Sequence, residues 1–491
     1  MNKNNFFICI CFSFLLNQNI YTGYIIENND TLDVFSYQIP SNYSNQQNHP
    51  LLVAFHQWGG SQDSPYYTNF DEEAELRNWI FLSPFGGSSN NYNHQEAQSY
   101  VEKAIIYLTD NFSIDKNRIY MVGGSMGGAS GAIFANNHLN PKKPMVAATA
   151  SASGILDCER RYYEMDGNNS MIEWFGGTPE EVPFEYHRNS AVYFADTTQS
   201  MHYNLQYTPL YLDFGVTEPH RYHAEDLYNL LLSYNQNMWI DIEPTGSHGY
   251  SVIDEEHACN WLSQYELIDD PDIINVNLDE PSRAYWIEAY DQIDNNNFIR
   301  VNAKREYCND QFMFEGYCID FENYNNSDSL IFHILNDRYA ISDNTVSILL
   351  GIPTGFIIEG VNFPSNIGFA GDLFSGENIL NIDVDGIPGM GQECFLDSYN
   401  IDGNNVIWLR GTHIWGGDCP LYGGNIITFQ FSISDINLDE TWDLLDIIIL
   451  MEYIINQEFP DNTQVWNGDI NQDQILDILD VILIVNMVLE N

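Results

Sequence analysis

The sequence predicts a multidomain chain with three parts. The first is an α/β domain, with a mainly parallel sheet and helices on both faces, the second is one or two β-sandwich modules, and the third is a small α-helical module. Three observations predict this: β-like and helical runs alternate up to about residue 270, short β-like runs fill residues 271–434, and residues 435–491 hold an internal repeat. Strand–helix alternation is typical of a helix-covered parallel sheet, whereas successive short strands favour a sandwich.

The charge balance excludes some partners. The 491 residues include 17 Lys+Arg and 69 Asp+Glu, a net charge of −52. Such a surface repels phosphate backbones and anionic membranes, so we expect no nucleic-acid partner. Either the acidic residues cover a solvated surface, or some of them bind calcium.

The N-terminus resembles a secretory signal. One lysine precedes an apolar run from Phe6 to Leu16, and polar residues follow it. This run is too short to span a bilayer. We predict a signal peptide over residues 1–22, cleaved between about residues 17 and 23, and a secreted or cell-surface protein. An uncleaved anchor is the alternative. No later run reaches 18 apolar residues, so we expect no membrane span in the mature chain.

The α/β domain is predicted over residues 23–270. The strand-like runs are "TLDVFSYQIP", "PLLVAFHQWGG", "IFLSPF", "RIYMVGG", "PMVAATASAS", "PLYLDFG" and "MWIDIEP". The helical runs are "DEEAELRNW", "EAQSYVEKAIIYLTDNF", "AEDLYNLLLSYNQ" and "DEEHACNWLSQYE". The β-modules of residues 271–434 are predicted to be spacers or substrate-binding modules.

Six cysteines lie beyond the predicted signal, and an even count in an exported chain favours disulfides. Proximity and domain layout favour the pairs Cys158–Cys259, Cys308–Cys318 and Cys394–Cys419. Buried free thiols are the alternative. The spacing is not typical of a zinc site.

A nucleophile elbow is predicted at Gly123-Gly124-Ser125-Met126-Gly127. The G-x-S-x-G pattern lies between the strand-like run "RIYMV" and the small-residue helical run "GASGAIFANN". In such a strained strand-to-helix turn the serine oxygen is exposed, and the helix N-terminus favours a developing oxyanion. Ser125 is the predicted nucleophile.

The partners of such a serine follow in the order acid, then histidine. His248 lies in the Gly-flanked loop "PTGSHGYS" and is the predicted base, since His220, His223 and His257 lie in helical or pre-helical stretches. Glu218, in the loop after "PLYLDFG", is preferred over Asp213 as the acid.

An oxyanion hole needs two backbone N–H groups. Met126, which follows the serine, supplies one, and the loop in "AFHQWGG" supplies the other. Trp58 is the preferred donor there, with Gln57 next. A tight turn without a catalytic part is the alternative.

Residues 31–268 resemble the α/β-hydrolase esterases, which include polyhydroxyalkanoate depolymerases, feruloyl and acetylxylan esterases, and the esterase-D and prolyl-oligopeptidase-like catalytic domains. The resemblance is carried by "HPLLVAFHQWGG", "SIDKNRIYMVGGSMGG", "WFGGTPEEVPFEYHRNSAVYFA", "TPLYLDFGVTEPHRYHAEDLYNLL" and "GSHGYS". It implies Ser125 as nucleophile, His248 as base and Glu218 as acid, where the family usually has Asp. His56-Gln57 replaces the usual His-Gly, which leaves the substrate subclass open.

Residues 155–205 are rich in aromatic side chains. They predict either a cap that lines an acyl pocket or an insertion packed by its own aromatics. The residues are Tyr162, Tyr163, Trp174, Phe175 and Tyr186.

The C-terminal repeat predicts two calcium loops. "DINLDETWDLLDIIILMEYII" and "DINQDQILDILDVILIVNMVL" start 34 residues apart, each an acidic loop followed by an apolar helix. Oxygen ligands alternating along such a loop suit Ca²⁺. The predicted ligands are Asp435, Asn437, Asp439, Asp443, Asp446, Asp469, Asn471, Asp473, Asp477 and Asp480.

Residues 435–491 resemble a type I dockerin, although Glu440 and Gln474 replace the usual glycine. The resemblance implies Ca²⁺ binding and a cohesin-type or cell-surface partner.

Together these features predict a secreted serine esterase that needs no cofactor for catalysis. Its expected substrate is a polymeric ester, either an acyl or feruloyl ester on a polysaccharide or a polyester. One alternative is a prolyl-oligopeptidase-like serine peptidase, although no seven-bladed repeat precedes the domain. The other is a non-catalytic binding or scaffold protein.

Overall fold

The computed structural model describes residues 20–289 except 29, 168 and 169, and then a series of shorter segments. These are 292–310, 314–327, 330–335, 345–350, 354–359, 379–385, 392–401, 404–413, 425–431, 444–456 and 477–490. Beyond residue 305, side chains are described only for 325–327, 330, 444–455 and 477–485. The chain forms two compact units, one of Met1–His138 with Pro144–Ile268 and one of Leu139–Lys143 with Asp269–Asn491.

The first unit is built on one eight-stranded sheet. Its strands are β1 (Ile20–Glu27), β2 (Asp30–Gln38), β3 (His49–Phe55), β4 (Ile80–Pro84), β5 (Ile114–Gly124), β6 (Ala148–Ala152), β7 (Leu210–Gly215) and β8 (Met238–Glu243). The spatial order is β1-β2-β4-β3-β5-β6-β7-β8. β2 pairs antiparallel with β1 and β4, and every pair from β4 to β8 is parallel. This mostly parallel sheet confirms the predicted α/β class and is consistent with an α/β-hydrolase.

Eight α-helices accompany this sheet in the described residues of the first unit. They are α1 (Phe70–Leu76), α2 (Gln95–Asn111), α3 (Met126–Asn137), α4 (Cys158–Glu164), α5 (Met171–Phe175), α6 (Pro183–Arg188), α7 (His220–Leu231) and α8 (Glu255–Leu262). α2, α3 and α7 contribute to the core on one face of the sheet, and α1 and α8 contribute to the core on the other.

Burial on both faces explains the sequence of the central strands. In β3, Leu51 and Val53 belong to one core cluster and Leu52 and Ala54 to the other. Successive strand residues point to opposite faces, so a strand covered on both sides is a continuous apolar run. Each predicted strand and helix of this domain is found. Strand β1 was not predicted, because its residues were assigned in part to the signal peptide.

The second unit is mainly β-structure. Its strands are β9 (Ile273–Leu278), β10 (Arg283–Ala284), β11 (Ile287–Ala289), β12 (Ile299–Asp310), β13 (Phe314–Asn325), β14 (Leu330–Leu335), β15 (Thr345–Leu350), β16 (Thr354–Glu359), β17 (Ile379–Asp385), β18 (Gln392–Ile401), β19 (Asn404–His413) and β20 (Asn425–Phe431). They form two six-stranded sheets, ordered β10-β11-β14-β16-β19-β18 and β17-β20-β15-β13-β12-β9.

Two apolar helices, α9 (Leu444–Asn456) and α10 (Ile478–Glu490), follow these sheets. They pack together through Ile447, Leu450, Val481 and Ile484. The predicted acidic loops before the helices lie largely outside the described residues. No helix in the described part of the chain is long and apolar enough to cross a membrane.

The predicted disulfide between Cys158 and Cys259 is wrong. Both are buried free thiols, and they belong to separate core clusters on α4 and α8. Burial raises the pKa of each thiol to about 12, which keeps both protonated. The predicted pairs Cys308–Cys318 and Cys394–Cys419 involve side chains outside the described residues.

The free thiols can be tested by alkylation. Iodoacetamide added to the denatured but unreduced full chain should modify both Cys158 and Cys259, because neither sulfur is bonded to the other. Peptide mapping by mass spectrometry measures the modification, and a sample reduced beforehand is the control. A cross-linked peptide that joins these two cysteines would contradict the fold.

Candidate active site

Ser125 lies in a sharp turn between β5 and α3. Its backbone has φ 57° and ψ −120°, a left-handed φ that is uncommon for a side chain other than glycine. Such a conformation costs about 1–3 kcal/mol and persists only where the surroundings enforce it. The Ser125 N–H donates to the Ala152 carbonyl at 2.8 Å, which ties the turn to the end of β6.

Two glycines allow the close packing that enforces this turn. A Cβ at Gly123 would overlap the backbone of Gly127. A Cβ at Gly127 would lie 2.5 Å from the His56 carbonyl oxygen and 2.8 Å from that of Phe55. The first turn of α3 therefore packs against the end of β3 with no room for a side chain, which explains two glycines of the G-x-S-x-G pattern.

His248 reaches Ser125 from the loop after β8. Its Nε2 lies 2.7 Å from Ser125 Oγ, and its Nδ1 lies 2.6 Å from Glu218 Oε2. The loop is closed by Ser251, whose hydroxyl accepts from the His248 N–H at 3.1 Å and donates to its carbonyl at 2.8 Å. The His248 side chain is 43% exposed, so the site opens to solvent on this side.

Glu218 is buried beneath His248. Its Oε1 accepts hydrogen bonds from the Ser153 hydroxyl and from the Gly215 N–H. Burial raises the pKa of this carboxyl, but interactions with His220, His248, Ser153 and the Gly215 N–H outweigh burial and hold the pKa well below its ordinary value. The carboxylate is therefore charged across the physiological range.

Asp213, the alternative acid, lies elsewhere. It is a buried residue within β7, and burial raises its pKa to about 7, with the Asp241 carboxylate adding to the rise. The carboxylate that meets His248 is that of Glu218, in the turn after β7. The sequence favours Glu218 for the same reason, because Glu218 follows the strand whereas Asp213 lies within it.

Two residues beside Glu218 were missed by sequence reasoning. Ser153, which follows β6 with φ 54°, donates to Glu218 Oε1. His220, the first residue of α7, is 3% exposed, and its Nδ1 lies 3.5 Å from Glu218 Oε2. The position of Ser153 directly after a predicted strand was the available signal. His220 was set aside because it is helical.

The loop after β3 lies beside Ser125. Its Phe55 and His56 carbonyl oxygens lie close to Gly127, as the packing of α3 requires. The Trp58 indole is 58% exposed, and its Nε1 donates to Ser170 Oγ at 3.4 Å. The side-chain oxygen of Gln57 contacts Gly249, the residue after His248. The structure thus brings the predicted oxyanion loop to the predicted nucleophile.

Met126 is held by a strained loop from before α2. Tyr92 and Asn93 both have left-handed φ values, 46° and 57°. The Asn93 side-chain amide donates to the Met126 carbonyl at 3.2 Å, and its oxygen accepts from Ser130. These contacts fix the first turn of α3, which carries one predicted oxyanion donor.

Most cap aromatics pack against one another. Tyr186 and Phe175 are buried and meet edge to face with ring centroids 4.8 Å apart, and Tyr162 contacts Tyr186 at 5.8 Å. Trp174 stacks on His94 at 4.5 Å. This favours an insertion with its own core, and that core includes Met126.

Three of the ten predicted calcium ligands lie within the described residues. Asp446 and Asp480 are each the third residue of their helix, α9 and α10, and both are fully buried. Asp477 precedes α10 and accepts a hydrogen bond from the Leu479 N–H. The other seven lie outside: Asp435, Asn437, Asp439, Asp443, Asp469, Asn471 and Asp473.

Comparison with known proteins gives a weak structural likeness only. No family model and no curated protein matches the chain. Half of this chain resembles the fluorophosphonate-binding serine hydrolase F of Staphylococcus aureus, with 16% identity, 98% of that chain covered and a TM-score of 0.37. It also resembles an acetyl xylan esterase from Aspergillus awamori, with 13% identity, 50% of this chain and 99% of that one covered, and a TM-score of 0.36.

A third solved structure is a ferulic acid esterase, with 13% identity, 50% of this chain and 95% of that chain covered, and a TM-score of 0.36. Likenesses of this strength assign neither the reaction nor the substrate of this chain. The chemistry available to the site follows from its own geometry.

The raised pKa of Asp213 predicts a pH-dependent stability. The unfolded carboxyl ionises near pH 4, about its ordinary value, whereas the folded one stays protonated up to about pH 7. Its stabilising contribution is therefore full below pH 4 and is lost as the pH rises towards 7. Relative to the wild type, Asp213→Asn should gain at least about 1 kcal/mol in free energy of unfolding between pH 5 and pH 8, the value of a single pKa unit.

Urea unfolding of the full chain at the two pH values measures this difference. Because both proteins share every other ionisable group, the difference between them isolates Asp213. An equal effect of the substitution at both pH values would contradict the buried, protonated carboxyl.

Proposed function

We propose that this chain is a serine esterase that hydrolyses carboxylic esters through an acyl-enzyme. One observation carries the proposal. The His248 ring contacts Ser125 Oγ at 2.7 Å and the Glu218 carboxylate at 2.6 Å, and Ser125 lies at a strained strand-to-helix turn. Serine hydrolases use this constellation on unrelated folds, so the geometry itself supports the reaction class.

In the first step Ser125 attacks the ester carbonyl. A serine hydroxyl is a poor nucleophile unless a base takes its proton, and His248 Nε2 is placed to do so. Glu218 accepts from His248 Nδ1–H, which fixes the tautomer and stabilises the imidazolium. His248 then gives the proton to the leaving alcohol.

The tetrahedral intermediate carries an oxyanion next to α3. We assign its stabilisation to the backbone N–H groups of Met126 and Trp58. Met126 is the first residue of α3, where the helix dipole favours negative charge. Loss of one such donor typically costs about 2.7–4 kcal/mol of transition-state stabilisation.

The second half of the reaction uses the same groups with water. His248 takes a proton from water, the hydroxide attacks the acyl carbonyl, and Ser125 recovers its proton as it leaves. The exposed face of His248 gives water access to this position. No metal or organic cofactor is required for these steps.

The natural substrate we propose is an ester of a polymer met outside the cell. The signal-like N-terminus and the β-rich second unit support this proposal, since a large substrate suits an exported chain with accessory modules. A cleavage before Ile20 would leave strand β1 complete.

A substrate panel with matched variants tests the reaction. The panel comprises p-nitrophenyl acetate, methyl ferulate, acetylated xylan, polyhydroxybutyrate and a chromogenic dipeptide amide. Ester turnover should be lost in Ser125→Ala. In Glu218→Gln, kcat should fall by about 10⁴-fold, as replacing a triad carboxylate by an amide does in serine proteases.

Asp213→Asn is the control, because it makes the same chemical change in the other buried carboxyl near the loop. Its kcat should stay close to that of the wild type. Equal losses in Glu218→Gln and Asp213→Asn would overturn the assigned acid. Amide turnover alone would indicate a peptidase, and no turnover of any member would indicate a binding protein.

We also propose that the C-terminal repeat binds two calcium ions. Two buried carboxylates, Asp446 and Asp480, at equivalent positions of the repeat fit an oxygen-donor set. The ions would take no part in ester hydrolysis. A cohesin-type or cell-surface partner for this segment is part of the same proposal.

Calcium titration of the full chain tests the repeat. Calorimetry should show two sites in the wild type and one in Asp480→Asn, because the substitution removes the charge of one ligand set. Asp226→Asn, on the exposed face of α7, is the matched control and should leave both sites. Two undiminished sites in Asp480→Asn would contradict the assignment.

A further inference from the structure

Three side chains at the site form a set of metal-binding donors. Glu218, His220 and His248 each offer one donor atom, and these atoms lie within 4.8 Å of one another. One carboxylate oxygen and two imidazole nitrogens are a donor set that zinc uses with a fourth position open to solvent. The proposed ester hydrolysis employs only two of these residues directly.

His220 is the unexplained member of the set. It is 3% exposed, and neither ring nitrogen has a hydrogen bond of good geometry among the described residues, since Nδ1 is only 3.5 Å from Glu218 Oε2. Its ring lies against His248, with centroids 4.7 Å apart. A buried polar group without a good hydrogen bond is costly, so such a residue calls for a reason beyond packing.

We propose that Zn²⁺ binds Glu218, His220 and His248 and reversibly switches the esterase off. The inference rests on the proposed function for its consequence, whereas the binding itself rests on the donor set alone. Imidazole donors favour zinc over Ca²⁺, which prefers oxygen ligands in larger numbers. Ca²⁺, which we propose for the C-terminal repeat, therefore does not compete for the site formed by Glu218, His220 and His248.

Zinc binding needs an adjustment of the His248 ring. Tetrahedral ligands about 2.0–2.1 Å from zinc lie about 3.3–3.4 Å from one another. His220 Nδ1 is already 3.5 Å from Glu218 Oε2, whereas His248 Nδ1 must move away from its 2.6 Å contact with the same oxygen. The 43% exposure of the His248 side chain gives the ion access from solvent.

Inhibition follows from the proton on His248. In the active arrangement that proton is on Nδ1, and Nε2 is free to accept from Ser125. When zinc binds Nδ1, the Nδ1 proton is released to solvent. The neutral ring then carries its single proton on Nε2, which takes that proton from solvent. Nε2 then cannot act as the base, and Ser125 is not activated.

Zinc binding and zinc inhibition are measured together on the full chain. Calorimetric titration with ZnCl₂ is carried out in excess CaCl₂, so that oxygen-rich acidic sites are filled first. Hydrolysis of p-nitrophenyl acetate is followed over the same zinc concentrations. EDTA added afterwards should restore the rate, and CaCl₂ alone should leave the rate unchanged.

His220→Phe is the test variant, since it keeps an aromatic ring and removes both nitrogens. It should raise the zinc dissociation constant and the inhibition constant by at least about tenfold, the smallest loss typical when a supporting group of a metal site is removed. Each rate is compared with the zinc-free rate of the same variant. His257→Phe, at an exposed histidine on α8, is the matched control and should bind zinc as the wild type does.

Undiminished zinc binding in His220→Phe would overturn the site, as would inhibition that persists unchanged in this variant. If His220→Phe does not fold, His220→Gln takes its place. If the chain hydrolyses no ester, the calorimetric difference between His220→Phe and His257→Phe still decides the metal site. Failure of the esterase and failure of the zinc site are thus separate results.

Discussion

The site depends on one strained residue, Ser125, held between β5 and α3. Its left-handed φ of 57° places Oγ within 2.7 Å of His248 Nε2. The strain is maintained by close backbone packing: α3 lies against the end of β3 at Gly127, and the Ser125 N–H is bonded to Ala152. A side chain at Gly123 or Gly127 would separate α3 from the sheet, and Ser125 would lose its position.

The parallel sheet brings the remaining groups to the same edge. The carboxyl ends of β5, β6, β7 and β8 lead into Ser125, Ser153, the Glu218 turn and the His248 loop. Because the carboxyl ends of parallel strands lie at the same edge of the sheet, residues far apart in the chain meet there. Glu218 is buried, but its hydrogen bonds compensate for burial and keep it charged. A carboxylate in this state can stabilise a histidine that becomes positive, as His248 does in the proposed reaction.

The sequence allowed the α/β domain and its central groups to be predicted, because each rests on a local signal. Buried strands are apolar runs, G-x-S-x-G requires a tight turn, and Glu218 and His248 follow predicted strands. Ser153 was missed because its contact with Glu218 joins residues 65 apart in the chain, and His220 was missed because it begins a helix. The Cys158–Cys259 pair failed because an even cysteine count carries no information on which core cluster holds each thiol. Strand β1 was not predicted because the first of its residues were assigned to the signal peptide.

Fluorophosphonate labelling of the folded full chain tests the activated serine most directly. The reagent phosphonylates a serine that an adjacent base has activated and ignores ordinary hydroxyls. Intact mass should show one adduct, peptide mapping should locate it at Ser125, and Ser125→Ala should abolish it. An unlabelled protein, or an adduct on another serine that survives in Ser125→Ala, would contradict a hydrolase that uses the Ser125–His248–Glu218 triad.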